Sequence, residues 1–370
     1  MIQKFLVLIL LNFSFLNFIF SQNIENKSDS NFFFYRNYNY GSMALYNPVS
    51  LMLNRGYDIF QMRGEARSIS EFNYRANTKK LFYDLGHPIS AIESYGYKKF
   101  LLHEIFPLIF DAEEARWLPN YTLHLIGGGM TYVSVSEWFT FHNVKYPKLW
   151  AVLSTMSYAF MNETLENNSI KGRNTDAIAD IYFFDLGGII LFSFKSFNQF
   201  FVKQVEWADW SGIASFIIPS ATLHNNGQHF AIKYQRPFMK SWKLFAHIGL
   251  NGLGGLSYQL NSEHAISAGI GFRSANFTVA SDSSMLSTVK IVGSCGVFWD
   301  RNNSLMASLV VSNSNEYFVE LNIYPQVIKI RNFSPALWCV ASKDGQIMLG
   351  IAAKKTLGVG LGFKSLTFLK

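Results

Sequence analysis

The sequence predicts an α+β protein, in which an apolar helical block is followed by an antiparallel β-meander. The chain has 370 residues, of which 16% are aromatic and only 15% are charged. This balance suits a wall that faces lipid better than a freely soluble enzyme. Up to about residue 200, the apolar residues recur at helical spacing. Beyond about Gln228 the period changes to the alternation typical of β-strands. We therefore expect a helical domain over 23–200 and a strand-rich domain over 201–370.

The first 22 residues read as a cleavable secretory signal. Lys4 precedes an apolar run from Phe5 to Phe20, and the small residue Ser21 follows it. No cysteine stands at the expected cleavage point, so lipid attachment of the lipoprotein kind is not supported. The segment 1–22 therefore predicts export to the cell envelope.

The helical domain is expected to contain several short helices and then three longer ones. Gly86, Pro88 and Pro107 mark breaks between the short helices, and Pro147 suits a first helical turn. The expected helical segments are Pro48 to Gln61, Ile69 to Leu85, Ala91 to Phe106, Tyr121 to Phe141, Pro147 to Glu166, and Asp176 to Phe194.

The strand-rich domain alternates bulky apolar residues with small ones. In His264 to Arg273, for example, Ile266 and Ile270 share one face while Ser267 and Gly271 share the other. About eight to ten such segments follow Phe230, and this pattern favours a small outer-membrane-type β-barrel. The alternative is a soluble sandwich or half-barrel whose apolar face covers the helices. Related alternation recurs in Lys243 to Leu250, Ser304 to Ser312, Gln346 to Lys354, and Leu357 to Phe368.

Charge and cysteine content exclude some classes of protein. The net charge of +7 is spread along the chain without a Lys/Arg block, so nucleic-acid binding is not supported. Anionic lipid and polysaccharide both fit the excess of positive charge, and outer-membrane lipid is the partner we expect. Cys295 and Cys339 both fall in expected strands. Pairing is open to them in an oxidising envelope, but two cysteines make no framework, and we expect apolar wall residues.

A group of ionisable residues lies in the apolar helical region. The second long helix should run antiparallel to the first, because the link between them is short, and His124 then lies beside Glu163 and Glu166. The third long helix should bring Asp176 and Asp180 to the same end. Within each helix the acids are three or four residues apart and therefore share a face.

Asp185 is nine residues from Asp176, and at about 100° per residue it should point elsewhere. The glycines from Gly127 to Gly129 lack the Lys-Ser/Thr of a phosphate loop, and we expect them to serve close helix packing.

Four carboxylates beside one imidazole cannot all remain free anions at close range. Three arrangements that would neutralise or separate these charges remain open. One is a divalent metal, with His124, Glu163, Glu166, Asp176 and Asp180 as candidate ligands. Another is general acid/base catalysis, with His124, Glu163 and Asp180 as candidate catalytic residues. The third is purely structural: loop cations neutralise the acids, Asp176 serves a helix N-terminus and Glu163 is solvated. The loop cations are Lys171 and Arg173.

The order of these residues resembles that of small envelope-associated families, the YfiM-type lipoproteins and, more distantly, the VanZ-like proteins. The matching residues are His124, Glu163, Asp176, Asp180, Gly187 and Gly188, within about Pro119 to Phe192. Asn120 and Tyr121 stand where those families usually have Asp-Lys before the histidine. The resemblance implies an envelope location. The whole chain also looks like uncharacterised outer-membrane proteins of Gram-negative bacteria.

Three functions are compatible with these patterns. The first is an outer-membrane protein of structural or transport-related role, with the acid/His cluster in its helical block. The second is an envelope hydrolase that acts on lipid or cell-wall material through a carboxylate or a metal-activated water. The third is a soluble periplasmic binding module. Of these, the outer-membrane protein is the function we expect.

Overall fold

The fold is that of a computed structural model, which describes residues 32–62, 68–107, 118–167, 174–279 and 287–364. The expected signal segment 1–22 lies outside the described residues. So do Lys171 and Arg173, the cations of the purely structural interpretation of the acid/His cluster.

The helical block consists of α-helices joined by short 3₁₀- and π-helical segments. Its α-helices are α1 (Pro48–Arg55), α2 (Tyr74–Gly86), α3 (Pro88–Tyr95), α4 (Tyr97–Phe100), α5 (Gly129–Phe141), α6 (Pro147–Glu166), α7 (Asp176–Ala179), α8 (Leu186–Phe192) and α9 (Lys195–Lys203). The π-helical segments are Leu101–Ile105, Leu118–Gly128 and Asp180–Asp185. The 3₁₀ segments of the helical block are Ser42–Leu45, Asp58–Met62 and Ile69–Glu71. Two further 3₁₀ segments, Pro237–Met239 and Lys354–Thr356, lie between strands of the C-terminal half.

Local signals set the ends of two of these helices. The side chain of Asn47 accepts hydrogen bonds from the backbone N–H groups of Val49 and Ser50, and Pro48 occupies the first position of α1. Helix α6 begins at Pro147 and ends at Glu166, as the sequence predicts. It is 20 residues long, and its last turn carries Glu163 to the candidate site.

Glycines allow two helical segments to cross closely. A Cβ on Gly188 would lie 2.3 Å from the carbonyl oxygen of Leu125, and a Cβ on Gly129 would lie 2.6 Å from the carbonyl oxygen of Gly188. No side chain fits at such distances. The expectation that glycines 127–129 serve close helix packing is therefore confirmed at Gly129, whereas a Cβ on Gly127 would meet the ring of Phe230 in the sheet at 2.4 Å.

Among the described residues, no single helix is both long and apolar enough to cross a membrane. Asp176–Phe192 and Lys195–Lys203, which meet at a bend of 89°, satisfy that criterion only as a pair.

The described part of the C-terminal half forms one curled, half-barrel-like sheet of thirteen strands. Strands β4 to β13 follow chain order and are antiparallel to their neighbours. Strand β13 then pairs with β2 in parallel, which makes this the one parallel strand pair of the described sheet. The strands are β1 (Ala208–Asp209), β2 (Ser215–Ile218), β3 (Thr222–His224), β4 (His229–Tyr234), β5 (Trp242–Gly249), β6 (Asn251–Gln259), β7 (His264–Val279), β8 (Ser287–Arg301), β9 (Ser304–Ser312), β10 (Val319–Ile323), β11 (Ala336–Ala341), β12 (Ile347–Ala352) and β13 (Gly360–Lys364).

The α+β class with an N-terminal helical block and a C-terminal antiparallel meander is confirmed. The sheet as a whole has thirteen strands and not the expected eight to ten. The ten strands from His229 onward agree with the number expected in that region, but β1 to β3 precede them and are only two to four residues long. Segments this short carry no readable alternation, which is why the sequence pattern missed them.

Two hydrophobic clusters meet at β4. Phe230 belongs to the cluster of the helical block, whereas its neighbour Ala231 belongs to the cluster on the concave face of the sheet. Successive residues of a strand point to opposite faces. The helices therefore pack on the convex face of the sheet at β4, and the concave face has a core of its own.

The concave face is filled by large side chains. Trp210, Phe245, Phe298 and Trp338 are buried there together, and Leu45 from the N-terminal segment joins them. Cys295 and Cys339 are unpaired wall residues, as expected.

Candidate functional site

Three of the residues singled out in the sequence meet inside the helical block. His124 comes from the π-helical segment Leu118–Gly128, Glu163 from the last turn of α6, and Asp180 from the start of the π-helical segment Asp180–Asp185. One ligand atom from each lies within 4.8 Å of the others. The short links between the long helices bring these ends together, as the sequence predicts.

The two ring nitrogens of His124 face different carboxylates. Its Nε2 lies 3.8 Å from Oδ2 of Asp180, and its Nδ1 lies 3.3 Å from Oδ1 of Asp185. The His124 side chain is 17% exposed, whereas those of Asp180 and Asp185 are 6% and 1% exposed. The imidazole is thus held between two buried acids and retains a narrow opening.

The expectation that Asp185 points away from the cluster is wrong. Asp180 and Asp185 are the first and last residues of a π-helical segment. In a π-helix the backbone hydrogen bond joins residue i to residue i+5, so residues five apart lie on the same side of the helix. The angle of 100° per residue applies only to an α-helix. The wider winding therefore brings Asp185 to the histidine.

Several carboxylate oxygens of the cluster are buried without a hydrogen-bond partner among the described residues. Glu163 is 1% exposed, and neither of its oxygens has a partner. Oδ1 of Asp180 and Oδ2 of Asp185 are in the same situation. Glu163 is therefore not solvated, contrary to that part of the structural interpretation. Buried unpaired oxygens are costly, and native structures usually provide them with a partner.

The electrostatics of the cluster follow from this burial. Burial raises the pKa of the Glu163 carboxyl well above its usual value, and the nearby acids Glu166, Asp180 and Asp176 raise it further. Burial also raises the pKa of Asp180, although His124 opposes the shift. Burial alone would lower the pKa of His124, but Asp180, Asp185 and Glu163 outweigh it and raise that pKa well above its usual value.

The other two candidate ligands lie at the edge of the cluster. Glu166 is half-buried and accepts a hydrogen bond from Nδ2 of Asn162 at 3.1 Å. Asp176 is also half-buried, and its backbone N–H donates to Oδ1 of Asn174. Both acids raise the pKa of Glu163 from this position. The group whose ligand atoms converge does not include them.

Arg55 from α1 reaches the neighbourhood of the cluster, and the sequence interpretation did not include it. Its Nη1 donates to the carbonyl oxygen of Gly127 at 3.2 Å and to the hydroxyl of Tyr158 at 3.4 Å. Its Nη2 lies 3.1 Å from Oδ2 of Asp209 in β1. The charge of Arg55 is therefore matched by Asp209, outside the group of His124, Glu163 and Asp180.

Asp58 also belongs to these surroundings and was missed. Burial raises its pKa to about 7, while His124 and Arg55 lower it. Arg55 and Asp58 are the two charged residues of the segment from Pro48 to Phe60, which is mainly apolar. An isolated charge in such a segment was the available signal, because a charge at a buried position needs a partner.

This arrangement suits two kinds of chemistry. One imidazole nitrogen and carboxylate oxygens converging on one point are ligands for a divalent cation. A histidine beside carboxyls with raised pKa values also suits proton transfer. Both uses depend on His124, Glu163 and Asp180.

Comparison of the chain with family models, with curated proteins and with solved structures found no match. The resemblance to YfiM-type and VanZ-like proteins therefore stays a hypothesis.

Proposed function

We propose that this chain is an outer-membrane protein of structural role, in which the curled sheet lies in the lipid bilayer and anchors the helical block with its acid/His cluster. The observation that carries the proposal is the distribution of apolar side chains over the two faces of the sheet.

The convex face of the sheet is apolar and exposed. Ile270 is 76% exposed, Phe363 is 61% exposed and Leu349 is 54% exposed. Soluble proteins rarely expose apolar patches of this extent. Other large exposed apolar side chains on the strands are Ile218, Trp242, Leu244, Leu256, Tyr258, Ile266, Phe272, Ile291, Val297, Leu309, Leu321, Ile351 and Leu361.

The concave face carries buried polar groups. Arg273 forms an ion pair of 3.1 Å with Glu320 and donates to Oε1 of Gln61 at 2.6 Å. Lys233 pairs with Asp300 at 2.5 Å. A soluble antiparallel sheet normally has its polar face outward, whereas membrane barrels have an apolar outer face and a polar inner one.

The strand pairing supports closure of the sheet. Strands β1 and β2 lie on the single segment 208–218, which pairs with β4 through β1 and with β13 through β2. Closure of a barrel through this segment removes open sheet edges, which the hydrocarbon region does not tolerate. The filled concave face favours an anchor over an open channel.

The helices leave most of the convex face uncovered. Their cluster includes Phe230 and is joined by Ile232 of β4, while no helix of the described residues covers the exposed side chains on β5 to β13. This argues against a soluble half-barrel whose apolar face covers the helices. For a chain whose sequence predicts an export signal, lipid is the occupant that such a wide apolar face favours.

Fractionation tests this proposal. We expect the full chain in the outer-membrane fraction, extracted only by detergent. On gels it should migrate differently before and after boiling, because a folded barrel resists the detergent of the gel. Recovery of all the protein in the soluble periplasmic fraction would contradict the proposal and favour the binding module.

An envelope hydrolase is the second candidate, and the unpaired oxygens of Glu163 favour it. A carboxylate with raised pKa next to His124 is suited to activate water. If this function is right, Glu163→Gln should abolish hydrolysis of envelope lipid or cell-wall material, and Glu137→Gln should not.

A further inference from the structure

We infer that His124, Glu163 and Asp180 bind one divalent transition-series cation such as Zn²⁺, with Asp185 orienting the histidine. The ligands are Nε2 of His124 and one carboxylate oxygen from each acid. This inference goes beyond the membrane role proposed above, and neither depends on the other.

The spacing of the ligand atoms suits a single ion. Zn²⁺ lies about 2.0–2.2 Å from nitrogen and oxygen ligands, so two ligands on one ion are at most about 4 Å apart. Nε2 of His124 and Oδ2 of Asp180 are 3.8 Å apart, and the full group lies within 4.8 Å. Ligand atoms that lie farther apart than about 4 Å would have to approach one another when the ion binds, through rotation of the Glu163 and Asp180 side chains.

The unpaired oxygens are the independent reason to place a cation here. Glu163 is 1% exposed and directs two oxygens without a partner among the described residues into the cluster. Oδ1 of Asp180 is a further one. Direct ligation satisfies such oxygens and removes the repulsion between the two acids.

Among the described residues, no other charge near the cluster provides this neutralisation. Arg55 approaches the neighbouring carbonyl of Gly127, but its guanidinium pairs with Asp209 at 3.1 Å. Three carboxylates, those of Glu163, Asp180 and Asp185, therefore surround one imidazole. A divalent ion supplies the missing positive charge.

Asp185 has the position of a residue that orients a metal-binding histidine. Its Oδ1 lies 3.3 Å from Nδ1 of His124, on the opposite side of the ring from Asp180. Metal-binding histidines almost always donate their second ring N–H to a carboxylate, a carbonyl or water. Asp185 is thus a positioning residue, which selects the nitrogen available to the ion.

The ligand set indicates the class of metal. An imidazole nitrogen suits Zn²⁺ and other transition metals, whereas Mg²⁺ and Ca²⁺ favour all-oxygen sites. Three protein ligands leave a coordination position open, as in catalytic zinc sites. The His124 side chain is 17% exposed, so this ligand is not fully closed off from solvent.

The test uses the full chain, purified in detergent without a metal-affinity tag. We expect elemental analysis to find about one transition-metal ion per chain. After stripping with a chelator, titration with Zn²⁺ followed by calorimetry should show one site. Co²⁺ added to the stripped protein should give a visible absorption spectrum typical of a low-coordinate site with nitrogen and oxygen ligands.

Variants assign the ligands. Glu163→Gln and Asp180→Asn should each abolish stoichiometric binding, and Asp185→Asn should weaken Zn²⁺ binding about 10- to 100-fold. Glu137→Gln is the matched control. Glu137 is a buried glutamate of α5 that accepts hydrogen bonds from the backbone N–H groups of Phe33, Phe34 and Tyr35. Its variant should bind Zn²⁺ like the unaltered chain.

Three outcomes would overturn the inference. The first is that the unaltered chain neither contains nor takes up a stoichiometric ion. The second is that the Glu163 and Asp180 variants, shown to be folded by circular dichroism, bind Zn²⁺ as tightly as the unaltered chain. The third applies even if a variant does not fold: the Co²⁺ spectrum of the unaltered chain is that of an octahedral, water-like site. None of these results bears on the proposed membrane role, which fractionation tests separately.

Discussion

Arg55 joins the helical block to the sheet through a buried ion pair. Its side chain is 1% exposed, and that of its partner Asp209 is 6% exposed. The guanidinium also lies 4.8 Å from the centre of the Phe230 ring. Removal of one partner of such a pair leaves a buried charge with no compensation. The pair is therefore a sensitive contact between the two halves of the chain.

We expect Arg55→Met to lower the free energy of unfolding by about 3–5 kcal/mol, because Asp209 remains charged and buried. The double variant Arg55→Met with Asp209→Asn should recover much of this loss. Urea unfolding of the detergent-solubilised protein measures both effects. The exposed pair of Arg301 and Glu263, 2.7 Å apart, is the control, and Arg301→Met should cost less than about 1 kcal/mol. Equal losses at both pairs would refute this prediction.

At the scale of elements, π-helical winding determines which side chains meet. The segments Leu118–Gly128 and Asp180–Asp185 both depart from α-helical geometry where they carry His124, Asp180 and Asp185. Such departures often occur at functional sites. The glycines that follow each segment then let the two helical segments cross at contact distance.

Gly188→Ala tests this crossing. The new Cβ would lie 2.3 Å from the carbonyl oxygen of Leu125, so the two segments must separate. We expect a loss of about 1–3 kcal/mol in the free energy of unfolding, as for other overpacked positions, and weaker Zn²⁺ binding because Leu125 adjoins His124.

Gly187→Ala is the matched control for that variant. Its Cβ would meet only the movable Cδ1 of Leu125, at 3.2 Å. Alanine also favours a helix over glycine by about 0.5–1 kcal/mol. This variant should therefore be neutral or slightly more stable. If thermal unfolding shows the same loss for both variants, the close crossing is not what makes position 188 sensitive.

At the scale of the whole molecule, the sheet has its apolar side chains outward and its charges inward. The Arg273–Glu320 and Lys233–Asp300 pairs are buried on the concave face. The helices occupy one part of the convex face, at β4. The remaining convex surface is the part that the proposed membrane role assigns to lipid.

Ile270→Lys distinguishes lipid from water on that surface. Ile270 lies in the middle of the convex face of β7 and is 76% exposed. A lysine in the bilayer midplane costs about 2–4 kcal/mol, whereas an exposed substitution in water costs within about 0.5 kcal/mol. We expect the larger loss when unfolding is measured in lipid vesicles.

Ile330→Lys is the control, because Ile330 is 62% exposed and lies outside the named strands. It should change the free energy of unfolding by less than about 0.5 kcal/mol. A negligible effect at Ile270 in vesicles would count against a lipid-facing sheet.

Local patterns were enough to predict much of this protein. Residue periodicity gave the α+β class, and Pro147 with the short links gave α6 and the meeting of His124, Glu163 and Asp180. These features depend on neighbours in the sequence, since helix starts, strand alternation and antiparallel helix pairing are local or nearly local properties.

Only the tertiary structure placed Asp185 in the cluster and paired Arg55 with Asp209. Asp185 reaches His124 because its segment forms a π-helix, and no residue pattern predicted that geometry. Arg55 and Asp209 are 154 residues apart in the chain. Strands β1 to β3 likewise exist only through their pairing with distant strands. Such contacts follow from how complete surfaces pack together, and a local stretch of sequence does not contain that information.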